Sequence, residues 1–250
     1  MSKDDLVPPM ELIFDGSSTQ EEFIQVGEGF TNRFLIERAH LRPDERVLDV
    51  GCASGQKARV LAKYLSKEGS YEGFDIVDKG IGWCTEKYRE YSNFRFQLAD
   101  VYNSFYNPMG KYSPSEYKFP YADDYFDLVF LASVFTHMLP RDMDNYFHEI
   151  SRVMKKGGRC VISFFLLNSE SVACIDAGLN SIRVPFVYES DACRVADRNA
   201  PEKTVAHDEL FVRSLYEKNG LNVAEITYGF WRGRRDLLGA LQDIIIALKL

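Results

Sequence analysis

No part of this 250-residue chain approaches the roughly 20 consecutive apolar residues that a membrane-crossing helix needs. The longest apolar runs, residues 161–167 and 244–248, fall far short. The five cysteines, Cys52, Cys84, Cys160, Cys174 and Cys193, form no C-x-x-C pair and have no histidine at metal-ligand spacing. That pattern speaks against a zinc site and against a disulfide framework. Positive charge is in deficit, with a formal net charge of −7, which disfavours broad electrostatic binding to nucleic acid or to an anionic membrane. Met1-Ser2-Lys3-Asp4-Asp5 lacks the apolar core of a secretory signal, so a reducing cytoplasm is the expected setting. There is no internal repeat, and nothing in the sequence speaks to oligomeric state.

What is present is ordinary globular composition, 46% hydrophobic and 27% charged, enough for one large domain carrying insertions. The most informative segment is Val47-Leu48-Asp49-Val50-Gly51-Cys52-Ala53-Ser54-Gly55. Residues 47–50 read as a buried strand, and the spacing of Ala58, Leu61, Ala62 and Leu65 predicts a helix directly after the turn. Gly51 and Gly55 tolerate positive φ and let backbone N–H groups approach a ligand. A dinucleotide fingerprint requires Gly-x-Gly-x-x-Gly; here the second glycine is replaced by Ala53, which disfavours an NAD(P)-dependent oxidoreductase.

Further strands are expected at residues 71–74, 94–98, 126–131, 159–167, 221–228 and 242–250. Helices are expected at residues 21–38, with Phe23, Val26, Phe30, Phe34 and Leu35 on one face, at 142–154 with a glycine cap at Gly157 and Gly158, and at 207–218 beginning with His207. Helices alternate with the early strands, whereas the last two strands lack a full crossover helix. The expected fold is therefore α/β, a seven-stranded, mostly parallel, doubly wound sheet with an antiparallel last strand. Asp75 closes the second strand where a carboxylate can accept hydrogen bonds from both hydroxyls of a ribose.

The order of Asp-x-Gly-x-x-x-Gly, Asp75, Asp100, the block of residues 126–137 and the turn of residues 154–158 resembles the class I S-adenosylmethionine-dependent methyltransferases over residues 45–250. Ser133-Val134-Phe135-Thr136-His137-Met138 and the segment from Glu149 to Gly158 resemble its small-molecule branch. The resemblance implies S-adenosylmethionine as cofactor, its methionine end cradled by Asp49, Gly51, Ala53 and Gly55. Its ribose would meet Asp75 and Ile76, and its adenine Asp100 and Val101, with Leu131 nearby. It also implies an N-terminal helical segment (residues 1–40) packing over the cofactor and a catalytic domain at residues 41–250.

Insertions at residues 102–124 and 168–206 are expected to select a small-molecule acceptor. Candidate contacts are Tyr102, Tyr106, Tyr112, Phe135, His137 and Arg232. Arg232 stands beside Trp231, Arg234 and Arg235 and could grip an anionic group, or belong to a solvated hairpin. His137 is the candidate general base, an unperturbed histidine titrating near pH 6.5; its alternative is a structural role beneath the site. The favoured reaction is methylation of a hydroxyl on a sugar or polyhydroxylated metabolite. C- or N-methylation and a non-catalytic cofactor-binding module remain alternatives.

Overall fold

In the computed structural model, residues 5–180, 182, 184–190, 192–233 and 240–250 are described. Among them, seven strands form the main sheet in the order β10-β11-β5-β4-β1-β2-β3. These are β1 (Arg46–Val50), β2 (Ser70–Asp75), β3 (Phe94–Leu98), β4 (Phe126–Leu131), β5 (Met154–Phe164), β10 (Leu221–Thr227) and β11 (Asp243–Lys249). The pairs β1–β2, β1–β4, β2–β3 and β4–β5 are parallel, and β11 runs antiparallel to both β5 and β10. The expected seven-stranded sheet with its reversed last strand is the one observed.

Period-two alternation divides the core into two layers. Val47, Leu128, Phe130 and Val161 pack on one face with Phe34 and Leu35. Leu48, Val129, Leu131 and Ile162 pack on the other with Phe135, Phe147 and Phe164. Each such apolar side chain stabilises the fold by about 1.5–3 kcal/mol on full burial. Because both faces are covered, the central strands read as largely apolar runs, broken by Asp49 in β1, Asp127 in β4 and Ser163 in β5. Strand order reverses between β1 and β4, which opens a crevice beyond their carboxyl ends.

The N-terminal helix α1 (Gln20–Phe30) starts at Thr19, whose hydroxyl accepts from the Glu22 N–H at 3.0 Å, and continues as a π-helical stretch over Thr31–Arg38. Its buried face differs from the expected one. Phe23, Phe34 and Leu35 are buried, but Val26 is exposed. The contact is centred on Gly27, where a Cβ would stand 2.7 Å from the Gln56 carbonyl oxygen, and that close approach turns Val26 outward. Helices α2 (Ala58–Tyr64) and α3 (Asp78–Lys87) follow β1 and β2.

Three expected boundaries are corrected. Helix α4 (Pro140–Val153) has no glycine cap: it ends at Met154, which is already extended and buried as the first residue of β5. Gly157, at φ +72°, instead absorbs the register shift between β4 and β5. The strand expected at residues 159–167 leaves the main sheet at Phe164, and Leu166–Leu167 (β6) joins a second sheet. That sheet, ordered β6-β9-β8-β7, is built from the second insertion and the residues that flank it. Its other strands are β7 (Tyr188–Ser190), β8 (Cys193–Val195) and β9 (Val205–Asp208), with α5 (Ser169–Asp176) capped by Asn168.

His207 therefore lies on β9, not at a helix start. Asp208 caps α6 (Glu209–Lys218) by accepting from the Phe211 N–H at 2.9 Å. Among the described residues, no helix is long and apolar enough to cross a membrane, and no group of His, Cys, Asp or Glu is placed to hold a metal ion.

His207 ties the second sheet to the main one. Its Nε2–H donates to the Phe135 carbonyl at 2.8 Å, while Nδ1 is buried without a partner. Burial lowers its pKa to about 4, against about 6.5 in an unfolded chain. Between those values only the unfolded state binds the proton. His207 thus contributes stability that is complete above pH 6.5 and is lost as pH falls towards 4, about 3 kcal/mol in all. Buried Asp49 and Asp243, whose pKa values are raised to about 7 and about 6, act in the opposite sense, so the histidine must be isolated by difference. Urea unfolding of wild type and His207→Gln from pH 4 to 7.5 is expected to give stability curves that converge on acidification. Parallel curves would contradict this role.

Candidate active site

The turn after β1 is held by the end of β2. The N–H groups of Gly51 and Cys52 both donate to the Phe74 carbonyl, at 2.9 and 3.1 Å. Gly51, Ala53 and Gly55 take left-handed φ values of +82°, +48° and +82°. Asp75 locks this conformation: its two carboxylate oxygens accept from the Ala53 and Val77 N–H groups, each at 2.8 Å. Burial raises the Asp75 pKa, and the backbone donors Ala53, Val77 and Ile76 oppose that rise.

The glycines serve packing more than ligand approach. A Cβ on Gly51 would lie 2.4 Å from Val134 Cγ2, and one on Gly55 would lie 3.1 Å from Cys84 Sγ. Ala53 adopts the left-handed conformation without glycine's freedom, at a cost of about 1–2 kcal/mol, offset in part by its bond to Asp75.

The crevice beyond the strands encloses about 910 Å³, open solvent at its mouth included. Of the expected cofactor residues, Gly51, Ala53, Asp75, Ile76 and Val101 line it. The others do not. Asp49 lies beneath the turn and accepts from the Tyr71 hydroxyl at 2.7 Å; burial raises its pKa to about 7 despite the opposing effects of Lys57 and that bond. Gly55 is buried against Cys84 and Tyr88, and Leu131 is wholly in the core. Asp100 is exposed; its Oδ1 accepts from the Lys111 N–H at 3.2 Å and its carbonyl from the Tyr112 N–H, so it shapes the adjoining flap.

Of the expected acceptor contacts, Tyr102, Tyr106 and His137 line the crevice. Tyr112 faces outward under the Lys111 ammonium. Phe135 is core, stacked between Phe147 and Phe164. Arg232 belongs to a separate cleft. It is buried, paired with Glu170 at 2.6 Å, and its guanidinium lies 4.3 Å from the Tyr228 ring centroid. Arg234 and Arg235 fall outside the described residues.

His137 follows β4 on a short 3-10 turn, Phe135–His137. Two insertions converge on it. From the first, Asn103 Nδ2 donates to the His137 carbonyl at 2.9 Å, and Tyr106 meets the imidazole edge-on at 5.1 Å between centroids. From the second, the Glu202 carbonyl lies 3.2 Å from His137 Nδ1. A carbonyl only accepts, so Nδ1 carries the proton and Nε2 keeps its lone pair. Among the described residues Nε2 has no hydrogen-bond partner. Burial lowers the His137 pKa against the raising effect of the Glu202 and Lys203 backbone.

Glu202 Oε2 also accepts from the Ser104 N–H at 2.6 Å, which joins the two insertions across the crevice. Five further lining residues carry no local sequence signal: Phe14 and Asp15 from the N-terminal segment, Asp142 and Tyr146 from α4, and Glu202 itself. Only the long-range fold brings them here. Among the described lining residues there is no lysine or arginine, whereas Asp15, Asp75, Asp142 and Glu202 supply four carboxylates.

Comparison with known proteins adds four findings. A family model described as a methyltransferase domain matches residues 41–180. A probable cobalt-precorrin-6B C(15)-methyltransferase (decarboxylating) of Thermoplasma acidophilum is 23% identical over 213 residues, 81% of this chain and 94% of that protein. A 27-O-demethylrifamycin SV methyltransferase of Amycolatopsis mediterranei is 30% identical over 169 residues, 68% of this chain; the aligned part spans 54% of that longer protein. Among solved structures, a SAM-dependent methyltransferase from Methanosarcina mazei superposes with a TM-score of 0.59 at 19% identity, covering 87% of this chain and 98% of that one, a likeness of fold.

The turn's packing is directly testable. Gly51→Ala is expected to lose about 2–4 kcal/mol in urea unfolding, combining the left-handed φ with overlap against Val134. Adding Val134→Ala removes the overlap, so the double variant should be more stable than the sum of single losses by over about 1 kcal/mol. Strict additivity would contradict the contact.

Proposed function

The chain belongs to the methyltransferase-domain family, and from that membership we propose that it methylates a hydroxyl of an uncharged, polyhydroxylated small molecule, with His137 as general base. The methyl donor is S-adenosylmethionine, which supplies when bound a methyl group activated by its sulfonium. The residues of the crevice fit that group. Asp75 Oδ2 holds the Ala53 N–H and Oδ1 the Val77 N–H, and the carboxylate retains lone-pair capacity for a ribose hydroxyl. Ile76, Val101 and Val134 offer apolar walls. One buried oxygen of Asp15 lacks any partner.

The observation that carries the proposal is the His137–Glu202 hydrogen bond, which fixes the tautomer and leaves Nε2 free to take a proton. An aliphatic hydroxyl needs such a base in the transition state. Its lowered pKa keeps the imidazole neutral at physiological pH. Positioning supplies the rest: the flap residues Tyr102 and Tyr106 narrow the crevice beside His137, and near-attack placement of two reactants can be worth about 7–11 kcal/mol.

The charge of the wall supports an uncharged acceptor. A phosphate or carboxylate would meet Glu202 and Asp142, the latter paired with Arg141 at 3.6 Å, whereas hydroxyl groups could donate to both carboxylates. The rifamycin relative is named for an O-methylation. The cobalt-precorrin relative is named for a C-methylation, and a base at His137 would serve that chemistry too, so the methylated atom decides between them.

The test pairs labelled S-adenosylmethionine with matched neutral sugars, glycosides and their phosphates. A methyl ether on a neutral compound is expected; methyl transfer to carbon or nitrogen, or to the phosphates alone, would contradict the reading. His137→Gln is expected to lower kcat about 10²–10⁴-fold while leaving cofactor affinity unchanged. Since the base must be unprotonated, the acid limb of the wild-type kcat/KM profile should lie below pH 6.5 and disappear in that variant.

A further inference from the structure

The N-terminal segment before α1 is held at several points. Leu6 is buried in the core layer beneath the sheet, the Pro8 carbonyl accepts from Gln20 Nε2 at 2.9 Å, and Phe14 packs so close to α3 that a Cβ on Gly80 would lie 3.0 Å from its ring. Between Phe14 and α1 the chain turns at Gly16, with φ +94°. The Ser17 hydroxyl then faces Gln56 Nε2 at 3.4 Å, at the end of the turn that follows β1. Asp15 is thereby fixed on the crevice wall above that turn.

Its two oxygens differ. Oδ1 accepts from the Ser17 N–H at 3.0 Å, whereas Oδ2 is sealed from solvent with no hydrogen-bond partner. A buried carboxylate oxygen without a donor costs more than a neutral polar group left in that state. Lys57 is the nearby cation: Asp15 raises its pKa, after Asp49 and against the larger lowering by burial, yet no ion pair joins the two among the described residues. A donor on an occupant of the crevice would satisfy Oδ2.

We propose that Asp15 Oδ2 accepts from the α-ammonium group of the cofactor, so that the N-terminal segment recognises its amino-acid end. This rests on S-adenosylmethionine being the methyl donor. Of the charged groups on that molecule, the α-carboxylate has no hydrogen to donate and would repel Asp15, and the sulfonium has no N–H. The ammonium brings both the charge and the donors. Asp15 is a positioning and binding residue in this account, selecting ligands that carry the aminocarboxypropyl chain over those that end at the thioether.

Calorimetry with three ligands separates this contact from its rivals. S-adenosylmethionine and S-adenosylhomocysteine both carry the ammonium, only the first carries the sulfonium charge, and 5′-methylthioadenosine lacks the amino-acid chain. Asp15→Asn is expected to weaken the first two by roughly ten- to hundredfold and to leave the third within twofold. Asp15→Glu, which keeps the charge, should recover most of the loss. Parallel weakening of all three ligands, no change in any, or weakening of S-adenosylmethionine alone would overturn the proposal. A wild-type protein that binds none of them would defeat the cofactor assignment itself, and the proposal with it.

Discussion

The carboxylate of Asp75, buried at the carboxyl end of β2, fixes the relative positions of the two chain segments that leave β1 and β2. One oxygen holds Ala53, in the middle of the left-handed turn, and the other holds Val77, just before α3. Without the first of these bonds Ala53, the one non-glycine among the left-handed residues at positions 51, 53 and 55, would lose its partner. The apolar walls of Ile76 and Val101 would also lose their register with the turn. The same carboxylate faces the crevice, so one side chain sets both the local backbone and the polarity that a ribose would meet. Its pKa reflects this double duty, raised by burial and pulled back by three backbone donors.

The His137 side of the crevice depends on a second convergence. His207 on β9 holds the Phe135 carbonyl, the Glu202 carbonyl holds the His137 ring, and Asn103 holds the His137 carbonyl. Ser133, at φ +66°, is fixed from below by Ser163 and Gln242. The segment after β4 is therefore gripped by the main sheet, by both insertions and by the second sheet. That explains why a histidine on a three-residue turn can be placed firmly. The contact of Glu202 with Ser104 closes the ring of supports.

Much of this was legible in the sequence where one physical signal dominated. β4 lies at the expected residues because a buried parallel strand is a largely apolar run, and the edge strand β3 because Phe94, Phe96 and Leu98 alternate with Arg95 and Gln97. The Gly-x-x-x-Gly turn and Asp75 were legible because chain connectivity alone places strand ends beside one another. The second sheet was not legible: its strands are two to four residues long and take their hydrogen bonds from distant segments, so Val205 and Ala206 read as the end of the insertion and His207-Asp208 as the start of the following helix. Asp100 was expected in the site by position, but flap residues 111 and 112 claim its carboxylate and carbonyl. Asp15, Asp142 and Glu202 reach the crevice from three remote parts of the chain, and no local pattern announces that.

If Asp75 couples turn to cofactor, its removal must affect both. The decisive measurement is S-adenosylmethionine binding to Asp75→Asn by calorimetry, with urea unfolding of the same variant. The account predicts affinity at least about tenfold weaker, from the loss of charge-assisted acceptors, together with lower stability as the turn loses its anionic anchor. Unchanged affinity in a variant that folds normally would contradict it.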